Sequence, residues 1–255
     1  MSTFTLRLAV LGTWALLPVY VFQGIGVRLR SRRMPPAVGP VRAQIGGAAP
    51  AMRLLVVGDS SVAGTAIART EHGYAHQVAA AMAAATGRAV SYRAAGFPSA
   101  TAGQLRDAVV PNLERGPFDA VVLAVGINDA KNWHTAKRWK REFGTLIYAL
   151  KARFPDAAVL WSQNMSFRQV PVLPRALAAI LGVRGDLFNA IATQLCRERG
   201  VMVLPRFTSI APDAFAIDGF HPSETANRAW GEATAALLLR ADGLKALTAV
   251  APPTD

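Results

Sequence analysis

The feature that most constrains this chain is a short apolar run that ends in a polar turn. Leu54 to Val57 holds four large apolar residues without polar alternation, and Gly58-Asp59-Ser60-Ser61 follows directly. A short apolar run bounded by glycine is typical of a strand that is buried on both faces of a parallel sheet. Ligands of open α/β sheets bind just outside the carboxyl ends of such strands. We therefore expect the Ser60 hydroxyl to lie where a ligand binds.

Further apolar strands alternate with helical segments along the rest of the chain. The pattern predicts strands at 89–94, 119–125, 157–162 and 201–204, and helices at 74–86, 101–113, 135–153, 186–199 and 223–239. The segment 163–184 is expected to be irregular. Strands and helices that alternate in this way indicate βαβ units, and so a five-stranded parallel sheet with helices on both faces. We expect this domain to occupy 52–241, with a tail at 242–255.

The N-terminus differs from the rest of the chain in charge and hydropathy. The chain has a formal net charge of +12, and residues 1–53 contain seven arginines and no acid. Leu8 to Val27 is uncharged and is long enough to cross about 30 Å of hydrocarbon as a helix. We interpret 1–33 as a membrane anchor with a basic flank, and 34–51, rich in proline and glycine, as a linker. A cleaved signal peptide is the alternative, but no small-residue cleavage site is evident.

The distribution of cations bears on orientation and on partners. Four arginines follow the apolar segment and one precedes it, which favours a domain on the cytoplasmic face, with an exported domain as the alternative. The rest of the chain has only a small cationic excess, so a nucleic-acid partner is not expected. Lys131 to Arg141 contains five cations and two tryptophans. We interpret this segment as the solvated face of a helix, and contact with the substrate or with anionic lipid is the alternative.

Four separate segments carry residues that suit acyl transfer. The predicted strands end at Gly58, Gly96 and Gly126, and the ends of parallel strands meet at one edge of a sheet. A fourth segment, Asp218-Gly219-Phe220-His221-Pro222, precedes the last predicted helix. Its proline disfavours helical geometry at the histidine, which keeps the imidazole on the loop. Ser60, His221 and Asp218 have the residue types of a nucleophile, its base and the acid that orients the base.

These four blocks together resemble the SGNH, or GDSL-type, hydrolase family of esterases and lipases. The blocks are GDSS at 58–61, Gly96 in AAGFPSAT, GIND at 126–129 and DGFH at 218–221. The resemblance covers about 52–240, and it implies a flavodoxin-like three-layer α/β/α sandwich with strand order 2-1-3-4-5. The second block departs from the family pattern because no asparagine precedes its glycine, so only Gly96 carries over there.

The resemblance also implies a role for each matched residue. Ser60 would be the nucleophile, His221 the base and Asp218 the acid that orients the imidazole. The Ser60 and Gly96 backbone N–H groups and the Asn128 side-chain amide would bind the oxyanion. The expected function is hydrolysis of a carboxylic ester through an acyl-enzyme, by an enzyme whose oligomeric state the sequence does not indicate.

The substrate and the cofactors are less constrained by the sequence. The apolar segment Met165 to Val183 either covers an acyl pocket, which favours a lipid or lysophospholipid ester, or simply packs over the sheet. The candidate pocket residues are Phe97, Trp133, Phe167, Val170 and Leu173. Removal of O-acetyl groups from a glycan is the second enzymatic hypothesis, and a non-catalytic binding module on the same fold is the third. No cofactor is expected.

A metal site is not expected either. Cys196 is the single cysteine, which excludes a disulfide within the chain and a zinc site built of cysteines. His72, His76 and His134 are scattered, and no acid lies at a ligand spacing from them in the sequence.

Overall fold

The computed structural model of this protein describes residues 3–32, 34–211, 213–241 and 244. Its sheet has six strands in the order β1-β3-β2-β4-β5-β6. They are β1 (Arg42–Ile45), β2 (Ala48–Gly58), β3 (Arg88–Gly96), β4 (Ala120–Ala124), β5 (Ala158–Ser162) and β6 (Met202–Leu204). Strands β2 to β6 are parallel, so the predicted order 2-1-3-4-5 of five parallel strands is confirmed.

Helices cover both faces of this sheet, as predicted. They are α1 (Thr3–Gly12), α2 (Leu17–Arg30), α3 (Tyr74–Thr86), α4 (Ala102–Gln104), α5 (Ile127–Lys131), α6 (Ala136–Arg153), α7 (Arg175–Glu198) and α8 (Glu224–Leu238). The central strand β2 is buried on both sides because its side chains alternate between two cores. Leu54 and Val56 pack in one core with residues of α3 and α8, and Leu55 and Val57 in the other with residues of α6 and α7.

The number of strands is larger than predicted. Strand β1 pairs antiparallel with β3, and both β1 and the start of β2 fall within the segment 34–51 that the sequence suggested was a linker. Ala43 and Ile45 of β1 pack against the α3–α8 core, while Arg42 and Gln44, which alternate with them, are exposed. The sequence Arg-Ala-Gln-Ile carries this alternation, but the prolines and glycines around it hid a strand of only four residues. The predicted tail at 242–255 lies outside the described residues except for residue 244.

The segment expected to be irregular is half helical. Helix α7 begins at Arg175, directly after Pro174, and runs unbroken to Glu198, whereas the prediction began this helix at 186. Gly182 and Gly185 lower the intrinsic helix propensity here, which explains the error. Both glycines pack closely on the preceding segment, since a Cβ on Gly182 would lie 2.8 Å from the end of the Arg168 side chain and one on Gly185 would lie 3.1 Å from the Phe167 ring.

The N-terminal helix consists of α1, a 3₁₀ turn (Thr13–Leu16) and α2, and it is long and apolar enough to span a membrane. Helix α7 passes the same test by length and composition, but most of it is buried in the domain. One face of the N-terminal helix packs on the domain. Leu6 and Thr13 are buried there, and the Gln23 side chain accepts a hydrogen bond of 3.0 Å from the Leu177 backbone N–H.

Candidate active site

The candidate nucleophile lies in the turn that follows β2. The Ser60 side chain is nearly buried, and the turn is closed by a backbone hydrogen bond of 2.9 Å from the Thr65 N–H to the Ser60 carbonyl. Gly58 is required at the end of the strand, since a Cβ there would lie 2.4 Å from the carbonyl oxygen of Ala124 on β4. The turn therefore places Ser60 at the carboxyl edge of the sheet, where the sequence predicted a ligand site.

The candidate base and its partner lie on one short loop before α8. The loop is held by hydrogen bonds of 2.8 Å from the Ala216 N–H to the His221 carbonyl and of 2.9 Å from the Ser223 N–H to the Ala214 carbonyl. Gly219 has φ +66°, a left-handed conformation that disfavours other residues. This turn brings Asp218 and His221 side by side.

Ser60, His221 and Asp218 form a continuous hydrogen-bonded relay. His221 Nδ1 lies 2.5 Å from Asp218 Oδ2, and His221 Nε2 lies 3.1 Å from Ser60 Oγ. Because an ionised carboxylate only accepts hydrogen bonds, Nδ1 carries the proton and Nε2 is left to accept one from the serine hydroxyl. The three residue types that the sequence singled out are thus together, in the order that proton transfer from serine requires.

The electrostatics of this relay favour an ionised Asp218. Burial alone would raise the pKa of this carboxyl. The hydrogen bond from the His221 ring and two bonds of 3.0 Å from the Phe220 and His221 backbone N–H groups outweigh that effect and hold the pKa below its ordinary value. The carboxylate therefore stays ionised at neutral pH and can stabilise an imidazolium.

Asn128, the candidate oxyanion residue, lies in the first turn of α5 and is buried. Its amide donates hydrogen bonds of 3.2 Å to Asp59 Oδ2 and 3.1 Å to the Ala100 carbonyl. The backbone before it is tight, since Gly126 has φ +129° and a Cβ there would lie 2.5 Å from Asn164 Nδ2. Asp59 and Ala100 thus fix the Asn128 amide, and the sequence analysis predicted neither of these contacts.

Asp59 is a buried acid beside the nucleophile. Its Oδ1 accepts a hydrogen bond of 3.0 Å from the Ser61 N–H, and its Oδ2 accepts the bond from Asn128. Burial raises the pKa of Asp59 to about 6, although hydrogen bonds from Ser61 and the nearby His221 act in the opposite direction. The carboxylate accepts from two donors at once, which joins the turn that carries Ser60 to the helix that carries Asn128.

Gly96, the other predicted oxyanion residue, lies at the end of β3 and pairs with Gly58 of β2. A Cβ on Gly96 would lie 2.0 Å from the Gly58 carbonyl oxygen, so the close approach of the two strands by itself requires a glycine. In the loop that follows, Ser99 has φ +64°, and the Ala100 N–H bonds to the Phe97 carbonyl at 3.2 Å. This loop carries the Ala100 carbonyl to Asn128.

A cavity of about 270 Å³ opens beside the relay, at the ends of β4, β5 and β6. Asp59, Ser61 and Pro222, which are neighbours of the relay residues, contribute to its wall. The rest of the wall is mostly apolar and comes from the segments 124–127, 162–165, 205–215 and 225–230, apart from residue 212, which is not described. The neighbouring face of α8 thus lies along the cavity.

The five predicted pocket residues, all of them described, do not line this cavity. Phe167 and Val170 are buried and Leu173 packs against the same core, so the apolar segment packs over the sheet, as the alternative hypothesis held. Trp133 contacts the N-terminal helix, with its ring centroid 4.3 Å from that of Tyr20 and 5.7 Å from that of Trp14. Sequence periodicity could not find the cavity because segments distant in the chain form it.

Among the residues that the structure describes, one group could hold a metal ion, which the sequence did not suggest. Asp129, His134 and Glu142 are buried, and one ligand atom of each lies within 4.8 Å of the other two. His134 Nδ1 is 3.2 Å from Asp129 Oδ1 and 3.6 Å from Glu142 Oε2. Among the described residues, neither His134 Nδ1 nor Glu142 Oε2 has a hydrogen-bond partner. The sequence reasoning missed this cluster because Glu142 reaches it from α6.

Comparisons with known proteins agree with the fold. The profile of the GDSL-like lipase/acylhydrolase family matches residues 56–229. No curated protein matches the sequence.

Solved structures with the same fold are similar to this chain at low sequence identity. The crystal structure of TesA is 19% identical, with a TM-score of 0.60, and the match covers 74% of this chain and 98% of that one. The psychrotrophic esterase EstA from Pseudoalteromonas sp., inhibited by monoethylphosphonate, is 17% identical, with a TM-score of 0.57 and coverage of 72% and 95%. Est24, a carbohydrate acetylesterase from Sinorhizobium meliloti, is 18% identical, with a TM-score of 0.53 and coverage of 77% and 99%.

The family profile matches more than half of the chain and contains all four sequence blocks, including Asp218-Gly219-Phe220-His221. The protein belongs to the GDSL-like lipase/acylhydrolase family and is a hydrolase that acts on ester bonds.

Proposed function

We propose that this enzyme hydrolyses carboxylic esters through an acyl-enzyme on Ser60. The observation that carries the proposal is the relay of 3.1 Å from Ser60 Oγ to His221 Nε2 and 2.5 Å from His221 Nδ1 to Asp218 Oδ2. His221 takes the serine proton as Oγ attacks the ester carbonyl, and it then returns that proton to the leaving alcohol. A water deprotonated by His221 hydrolyses the acyl-enzyme and restores the free serine.

The oxyanion of each tetrahedral intermediate is bound by the Asn128 amide together with the Ser60 and Gly96 backbone N–H groups. Asn128 is well placed for this role because its amide is buried and is fixed from two sides. A developing oxyanion would share or replace one of its present acceptors, Asp59 or the Ala100 carbonyl. One such donor is worth about 2.7–4 kcal/mol of transition-state stabilisation.

The proposed substrate is an ester with a long acyl chain, such as a lipid or lysophospholipid. The cavity beside the relay supports this choice, because its largely apolar wall would favour a hydrocarbon chain over a polar sugar. The apolar N-terminal helix supports attachment to a membrane, where such esters are found. Removal of O-acetyl groups from a glycan is the second candidate, favoured by the similarity to the carbohydrate acetylesterase Est24.

A panel of p-nitrophenyl esters from acetyl to dodecanoyl tests both parts of this proposal. We expect kcat/KM to rise with chain length, whereas a preference for acetyl would favour the glycan hypothesis. Ser60→Ala should abolish turnover and labelling by a fluorophosphonate, while the circular dichroism spectrum stays unchanged. Full activity of this variant would contradict the assignment of the nucleophile.

A matched pair of substitutions on α8 tests the cavity itself. Ala229 lines the cavity, and Ala236 lies on the same helix away from it; both are exposed. Ala229→Phe should lower kcat/KM for the dodecanoyl ester at least tenfold while acetyl ester turnover changes little. Ala236→Phe should leave both values unchanged. Equal effects of the two substitutions on both esters would place the acyl chain elsewhere.

A further inference from the structure

The N-terminal helix has two faces with different surroundings. The inward face contacts the domain at Leu6, Val10, Thr13, Tyr20 and Val27, which recur at intervals of three, four or seven residues. Two hydrogen bonds reinforce the contact: Gln23 accepts from the Leu177 N–H of α7, and the Tyr20 hydroxyl donates to the Lys131 carbonyl of α5. The domain therefore holds this helix along its length.

The outward face is apolar and exposed. Its large side chains recur at helical spacing: Phe4, Leu8, Leu11, Phe22, Ile25 and Leu29. Phe22 and Leu29 are each 81% exposed. A contiguous row of exposed apolar side chains of this kind is rare on water-soluble domains and marks a surface that binds a partner or a membrane. No acidic residue interrupts this face, and Arg7, Arg28 and Arg30 lie on the same helix.

The length of the inward contact is not compatible with a helix that crosses the bilayer. From Leu6 to Val27 the contact extends over about 32 Å at 1.5 Å per residue, which equals the thickness of the hydrocarbon core of about 30 Å. A docked helix that crossed the bilayer would carry α7 into the hydrocarbon with it. Helix α7 contains Arg184 and Asp186, and charged side chains are costly at that depth.

We propose that the N-terminal helix lies in the plane of the membrane, docked on the domain, with its outward face inserted into one leaflet of an anionic bilayer. The lipid surface fits this face because it offers hydrocarbon to the large side chains and negative headgroups to the arginines. Both ends of the helix then lie on the same side of the membrane as the catalytic domain. The inference rests on the membrane attachment suggested above and replaces the spanning arrangement.

The docked helix also places the lipid surface beside the catalytic edge of the sheet. Tyr20 contacts both Lys131 and the Trp133 ring, and Lys131 is the last residue of the helix that begins with Ile127 and Asn128. The Lys131 ammonium in turn lies 5.8 Å from the centre of the Phe220 ring, next to His221. An ester in the same leaflet would be close to the relay without crossing the bilayer.

Cysteine labelling in sealed membrane vesicles tests the arrangement. The single native cysteine, Cys196, is buried, and burial raises the pKa of its thiol to about 12, so the background is unreactive. Thr3→Cys reports the start of the helix and Asp156→Cys reports an exposed loop of the domain. In sealed vesicles of one orientation, we expect a membrane-impermeant maleimide to label both positions or neither, because both lie on the same side of the membrane. In detergent, both positions should be labelled. Labelling of one position alone would show a spanning helix and overturn the proposal.

Flotation with lipid vesicles tests the outward face separately. The full chain should float with vesicles of phosphatidylcholine and phosphatidylglycerol. The double variant Phe22→Glu, Leu29→Glu should float at least tenfold less, with unchanged turnover of a water-soluble ester. Tyr148→Glu, which alters an exposed aromatic residue on α6, is the matched control and should float normally. Equal flotation of the double variant and the control would contradict insertion of this face. The mass of the protein purified from cells is a second check, and a mass that lacks the N-terminal helix would also contradict the proposal. The loss of ester turnover in Ser60→Ala is measured in a separate assay. Failure of the proposed esterase function can therefore be distinguished from failure of the proposed membrane arrangement.

Discussion

The buried carboxylate of Asp59 gives the most quantitative prediction. Burial raises the pKa of this carboxyl from 3.8 to about 6. This shift corresponds to a free-energy difference of about 3 kcal/mol between its two protonation states. Since the pKa is higher in the folded protein, the neutral carboxyl is favoured there. Its contribution to stability is fully present below pH 3.8 and is lost as the pH rises through about 6. At pH 8 the ionised Asp59 thus destabilises the fold.

Asp59→Asn removes this charge but cannot reproduce its hydrogen bonds. A carboxyl group can accept from both Asn128 and the Ser61 N–H, even when it is protonated, because its hydroxyl oxygen keeps acceptor capacity. An amide accepts on one side only and turns a donor toward the other. The unsatisfied buried donor costs about 1–3 kcal/mol. At pH 8 we expect the free energy of unfolding of the variant to exceed that of the native enzyme by about 0–2 kcal/mol. At pH 4, where Asp59 is already neutral in the native fold, the free energy of unfolding of the variant should be about 1–3 kcal/mol lower than that of the native enzyme.

Activity should change in the opposite direction from stability at pH 8. Without the carboxylate the Asn128 amide is held less firmly, and we expect kcat to fall about a hundredfold, the lower end of the effect of removing an oxyanion donor. Urea unfolding at pH 4 and pH 8 and steady-state hydrolysis of a p-nitrophenyl ester measure the two effects. Asp107→Asn, at an exposed carboxylate, is the control and should change neither. A difference in stability that does not depend on pH, or a kcat within threefold of the native value, would refute the reasoning.

Three further substitutions test the relay, the backbone and the core. Asp218→Asn should lower kcat by about 10³–10⁴ in steady-state assays with the fold intact, because the imidazole loses the partner that fixes its tautomer; a loss below tenfold would contradict that role. Gly126→Ala should reduce both thermal stability and activity, because the new Cβ would meet Asn164 in a turn at φ +129°; a variant with native values of both would show that the turn relaxes freely. Phe143→Ala should cost about 3–5 kcal/mol in urea unfolding, since this ring is fully buried and stacks on Trp139 at 4.7 Å; a loss below about 1 kcal/mol would mean that the core closes around the deletion.

The sequence by itself determined the fold class and the identity of the relay residues. Apolar runs such as Leu54 to Val57 predict doubly buried parallel strands because the required side-chain pattern is local. The same is true of Asp218 and His221, which lie three residues apart and meet through a single turn. Their pairing with Ser60 was expected from the three residue types and from the resemblance to the family, because the rule that parallel strands end at one edge covers only the segments at Gly58, Gly96 and Gly126.

The tertiary structure decided what depends on packing between distant segments. Strand β1 pairs with the edge that β3 offers it, and α7 continues through two glycines that pack against Phe167 and Arg168. The apolar cavity is likewise built from separate strand ends and from α8, so no single stretch of the chain carries its signature. The N-terminal helix shows the difference most clearly. Its composition predicts contact with a membrane, but whether it crosses or lies flat depends on the contacts between its inward face and α7, which hydropathy does not describe.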